Sequence, residues 1–175
     1  MGVKLLPLSI AELSAHALEL EREAAIRFRE YAAHMREIGE QQTAGIFEEL
    51  TREQDEEVRK LEAAAGDRRP GELSPWEYVW RLTYMPEKLE QTPRLVPISA
   101  REALQLALLA KRRAEAFYSD VADNACDAPV RSCAAEMMAG ERRQIAYLEW
   151  LLEASQREEK EVLSGPDDAT LPPLS

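Results

Sequence analysis

Seven glycines in 175 residues, two cysteines, two histidines and 6% aromatic residues leave little with which to build several kinds of protein. The scattered glycines form no loop that could cradle a phosphate or a dinucleotide. Cys126 and Cys133 belong to no C-x-x-C pair, so neither a zinc knuckle nor a rubredoxin-type iron centre is indicated. Without an export signal they are expected as reduced, half-buried thiols. His16 and His34 fall off the apolar stripe of their own segment, are expected on the surface, and complete no Ser-His-acid or Cys-His arrangement. β-Branched runs are missing, which disfavours strands. No apolar run approaches the roughly 20 residues that span a bilayer, and Met1 to Leu8 is too short for a signal peptide, so a cytoplasmic protein is expected. Positive charge is also short: 22 Lys and Arg against 33 Asp and Glu give a net charge of −11, which argues against nucleic acid or an anionic membrane as partner.

What is abundant is Ala, Leu, Glu and Arg in helical periodicity, at 45% apolar and 31% charged residues, as in an all-α globular domain. After an extended segment over 1–8, Ser9 with Glu12 forms a capping box that opens a helix over about 9–40, with the stripe Ala17, Glu21, Ala24, Phe28, Tyr31, Met35. A second helix over 42–65 turns Phe47, Leu50, Gln54, Glu57 and Leu61 inward before Gly66. Ser99 and Glu102 open a third helix over 99–125, and Asp127 with Pro129 opens a fourth over 128–160. Residues 66–98 hold five prolines, two tryptophans and a short helix signal at Ser74-Pro75. They are predicted to run the length of a bundle and pack on its side. The tail 161–175 lacks periodicity and is expected to be mobile. Two helix pairs with short turns and one long crossover make an up-down four-helix bundle of the single-crossover kind.

Charged and amide residues interrupt the stripes. Lys111 lies on the row Leu104, Ala107, Lys111, Ala114, Tyr118, Val121, and a buried ammonium needs anionic partners. Glu21 on the first helix, Gln54 and Glu57 on the second, and Glu141 and Gln144 on the fourth are expected at the same height. Setting the two halves side by side places Glu21 opposite Lys111, Gln54 opposite Glu141 and Glu57 opposite Gln144, as in an internal repeat. The neighbouring Arg112, Arg113, Arg142 and Arg143 are expected in surface or interface ion pairs.

One residue from each first helix and an i, i+3 pair from each second helix is also how carboxylate-bridged di-metal sites are built. In these positions, and in the phrases FEELTREQDEEVRKLE and AEMMAGERRQIAYLEWLLE, residues 9 to 158 resemble the rubrerythrin-type bundles of the ferritin-like superfamily. The resemblance implies a di-iron protein of peroxide or oxygen chemistry, or of iron handling. It also implies a homodimer, here through an apolar helix face or the tryptophan-bearing crossover, and in an oxidoreductase a protein redox partner. Glu21 and Glu141 match that pattern. Gln54 and Lys111 stand where glutamates belong, and Glu57 and Gln144 where histidines belong. Three carboxylates facing one ammonium would leave two negative charges, too few to neutralise two irons. The favoured reading is therefore a metal-free bundle in which Lys111 replaces the metal charge, serving as a binding or structural protein. The alternative is an oxidoreductase or iron-handling protein with a rebuilt site, holding iron or one divalent magnesium, calcium or manganese ion on the oxygen ligands.

Overall fold

Four helices pack into one bundle in the computed structural model, which describes residues 6–65, 97 and 99–165. α1 is Ile10–Glu37, α2 Gln41–Ala65, α3 Ala100–Asn124 and α4 Ala128–Ser164. Ser9 accepts from the Glu12 amide while the Glu12 carboxylate accepts from the Leu8 amide, so the start of α1 is held from both sides. Ser99 caps α3 in the same way through the Glu102 amide. The turn after α1 closes at Gly39, whose φ of 87° is a conformation glycine adopts at little cost. α4 begins behind Asp127 with proline in its first turn. It continues beyond residue 160, through the helix-favouring charged stretch, and stops at Gly165 (φ 24°). The crossover helix expected near Ser74, the crossover as a whole apart from Pro97 and Ser99, and the tail from residue 166 lie outside the described residues.

α1 packs along α2 and α3 along α4, and α1 also touches both helices of the second pair. Ala44 and Phe47 near the start of α2 share a cluster with Ala103 and Leu104 near the start of α3, so these two helices run in the same direction. That arrangement suits a single long connection between the pairs.

The core is two apolar clusters rather than one. Phe28, Tyr31, Met35, Phe47, Leu104 and Leu148 fill one end, and Leu13, Phe117, Tyr118, Val121 and Val130 fill the other. Aromatic contacts stiffen both, with Tyr31 edge-on to Phe47 at 5.4 Å and Phe117 beside Tyr118 at 5.4 Å. Between them lies a polar layer containing Glu21, Gln54, Lys111 and Glu141, all buried. No helix among the described residues is long and apolar enough to cross a membrane.

Candidate functional site

The polar layer draws one side chain from each helix, because each occupies the position on its stripe where the helix faces the bundle axis. Lys111 is only 2% exposed. Its Nζ donates to Gln54 Oε1 and to Glu141 Oε1, the latter at 3.4 Å, and lies 3.5 Å from Glu21 Oε2. Gln54 joins the charges: its carbonyl accepts from Lys111 while its Nε2 donates to Glu21 Oε2. The Phe28 ring lies under the ammonium with its centroid 5.8 Å away, a cation-π contact that offsets part of the lost hydration.

The protonation state follows from burial. Loss of water raises the Glu141 carboxyl to about 8; Lys111 opposes the shift, and the neighbouring Glu21, to which it is hydrogen-bonded, adds to it. Near neutral pH Glu141 therefore keeps its proton. Burial works against the charge on Lys111, but attraction to Glu141 and Glu21 outweighs it and holds the lysine above its ordinary value. Tyr118 closes the layer from the other cluster. Its phenol is pushed well above the usual range by burial first, then by Glu21, with which it is hydrogen-bonded, and by Glu141.

Two residues expected inward do not join the layer. Glu57 keeps 48% of its side chain exposed and pairs with Lys60 at 2.6 Å. Gln144 is partly buried and donates from Nε2 to Glu53 at 3.4 Å. A step of three residues turns a helix by 300°, so Gln54 and Glu57 share one broad face but stand 60° apart, and here Gln54 takes the axial position while Glu57 takes the flank. The same holds for Glu141 and Gln144. The second member of each pair instead lines a cleft of about 800 Å³ between α2 and α4, with Gln54, Glu141 and Tyr118 also on its lining. Among the described residues no group of three or more His, Cys, Asp or Glu side chains is arranged around a common point suited to a metal ion.

Other expectations are corrected by packing. His16 is 6% exposed, with its ring 5.4 Å from that of Phe117, because α1 has covered flanks on either side of its central stripe. His34 is nearer the surface, 3.6 Å from Glu37. Arg113 is buried and pairs with Glu23 at 3.4 Å, in a second charged group with Arg27 on the side of the layer away from the cleft. Arg112 and Arg142 do form surface pairs, with Glu149 at 2.6 Å and Glu115 at 2.7 Å. Cys126 is exposed, Cys133 partly buried, and both are free.

Comparison with known proteins agrees with this architecture. No curated protein gives a match. Among solved structures, the chain is similar to an uncharacterized conserved protein from Magnetospirillum magnetotacticum MS-1, at 25% identity and a TM-score of 0.71, over 83% of this chain and 95% of that one. A sequence model described as Rubrerythrin matches residues 12–151, which reaches into all four helices and includes every residue of the polar layer, and the chain accordingly belongs to the rubrerythrin family.

Proposed function

We propose that this member of the family holds an ammonium where its relatives hold metal, and that it acts as a metal-free binding or structural bundle rather than as a di-iron oxidoreductase. The observation that carries the reading is the position of Lys111 Nζ, within 3.5 Å of carboxylate oxygens from two helices and hydrogen-bonded to Gln54 of a third. A di-iron centre needs four carboxylates and two imidazoles, all of which bind as anions or neutral bases. The residues here do not fit it. Lys111 is a cation with no lone pair while it is protonated, Gln54 is a neutral amide, and the imidazole positions carry Glu57 and Gln144.

Charge supports the same reading. With Glu141 protonated, one carboxylate and one ammonium cancel, so the layer is neutral without any further ion. Such a layer fixes helix register in the way a single buried polar residue fixes a coiled coil, and leaves the adjoining cleft free for another molecule.

Elemental analysis of the full chain, purified without chelator from iron-supplemented cells, tests the reading. The expected result is iron and manganese well below one per chain and no oxo-bridge absorption in the near ultraviolet. Stoichiometric iron with that absorption would overturn it and establish a rebuilt metal site.

A further inference from the structure

α4 turns Ala134, Glu141, Ile145 and Leu148 into the bundle, and a helix of this kind is ordinarily polar on the side facing away from the core. Here that side carries two large rings. Trp150 is 56% exposed and Tyr147 41%, and the rings stack 6.2 Å apart at an interplanar angle of 15°. Ala139 and Ala146, also exposed, continue the row at helical spacing through Arg143 to Trp150. Rings beside methyl-sized recesses give a helix the relief that a second helix can pack into, and Trp, Tyr and Arg are the residues that interface centres favour.

The charges on this side are also unspent. Arg101, Arg112 and Arg142 each pair with a carboxylate of the neighbouring helix. Among the described residues, by contrast, no carboxylate lies in ion-pair range of Arg143 or Arg157, and no basic group in range of Glu136 or Glu153. Together these four are neutral on a chain whose net charge is −11, so two copies can approach along them without the repulsion that acts elsewhere.

Their order is self-complementary. Ala146 is the central residue of α4, Ala128–Ser164, so a two-fold axis between Ala146 and Tyr147 lays two such helices antiparallel along nearly their whole length. In that register Glu136 comes level with the partner's Arg157, Ala139 with the partner's Ala154, and Arg143 with the partner's Trp150. Each contact is made twice, once on either side of the axis. Parallel pairing would instead set Arg143 against the partner's Arg143 and Glu136 against the partner's Glu136, like charges throughout.

We propose that a second copy of the chain docks on this side of α4, the two α4 helices packing antiparallel, with each Trp150 against the partner's Arg143 and each Glu136 paired with the partner's Arg157. The interface uses no residue of the polar layer, so it stands or falls separately from the metal-free reading.

Sedimentation velocity of the full chain across a wide range of concentration tests it, and should show a reversible monomer–dimer equilibrium. Trp150→Glu removes the central anchor and should weaken dimerisation by about thirtyfold or more, while the melting temperature of the monomer stays the same because the ring is exposed there. Glu136→Arg should weaken it by about tenfold, and adding Arg157→Glu should restore it, since the exchanged charges meet again across the axis. With Cys126→Ser and Cys133→Ser in place, Ala146→Cys lies beside the axis and should form an inter-subunit disulfide on mild oxidation, whereas Ala135→Cys, about 16 Å further along α4, should not. A monomer at every concentration overturns the proposal, and a fall in its melting temperature with Trp150→Glu would assign the face to another segment of the same chain. A dimer that survives Trp150→Glu, or one that the double charge exchange does not restore, overturns it as well and puts the contact on another face or in another register.

Discussion

Removing the Lys111 ammonium leaves Glu21 and Glu141 facing one another in a dry core, with Gln54 Oε1 short of its donor. Breaking a buried pair by deleting one partner costs ~3–5 kcal/mol. Lys111→Met should fall near the lower end, about 3 kcal/mol by urea denaturation, because Glu141 already carries a proton and the two carboxyls can share it. The same proton sets the pH dependence. The native protein keeps it up to about 8, whereas the unfolded chain releases it near the ordinary value of 4.5. The stability it confers is fully present below that lower value, declines as pH rises through the window, and has gone above about 8, at a limiting ~1.4 kcal/mol per pH unit. Glu141→Gln keeps the shape and loses the titration. Its stability relative to the unmodified protein should therefore rise between those pH values and then level off, and equal slopes in the two proteins would show that Glu141 is ionised in the fold. At this scale the layer is legible in sequence wherever a residue sits on the axis of its stripe, as Glu21, Gln54, Lys111 and Glu141 do. Glu57 and Gln144 lie 60° off that axis, and where they point depends on the cleft between α2 and α4, which helical periodicity does not encode. His16 and Arg113 are hidden for a related reason: each stands one residue before a core alanine, on a flank that only the neighbouring helix makes dry.

At the level of helices, short-range chemistry determines where the chain starts and stops. Ser99 accepts from the Glu102 amide at 3.2 Å, and Ser99→Ala should cost about 1 kcal/mol in urea denaturation, without altering the polar layer one end of the bundle away. Gly39 has open space around its Cα hydrogens, so Gly39→Ala introduces no clash, and its expected cost, again about 1 kcal/mol, comes from the positive φ alone. A larger loss would mean that the turn between α1 and α2 packs more tightly than it does here. These signals are local, which is why the Ser-x-x-Glu starts of α1 and α3 can be read from the residues themselves. The end of α4 is harder to read because glutamate and lysine continue a helix as readily as they decorate a tail, and only Gly165 breaks the run.

On the proposed reading the whole molecule keeps the frame of the family while exchanging the groups that would bind metal, and that separation can be tested by reversing it. The two halves pack their helices in matched pairs around one polar layer, so the positions that correspond to ligands remain near one another: four in the layer, with Glu57 and Gln144 on the lining of the adjoining cleft. Lys111→Glu alone would place three carboxyls and an amide together with no imidazole, and should destabilise the bundle without creating a strong iron site. Adding Gln54→Glu, Glu57→His and Gln144→His supplies four carboxylates and two imidazoles, the full set of the di-iron bundles. The fourfold variant is expected to be unstable without metal, because four carboxylates repel in a dry layer, and to gain at least several kcal/mol when ferrous iron is added without oxygen. Its melting temperature should then depend on iron concentration by mass action, while that of the unmodified protein should not. Two irons per chain in the variant and none in its parent would locate the loss of metal chemistry in four side chains. If the variant stays metal-free while folded, the helices themselves have moved out of ligand range, and the difference from the iron-binding relatives lies in the frame as well as in its residues.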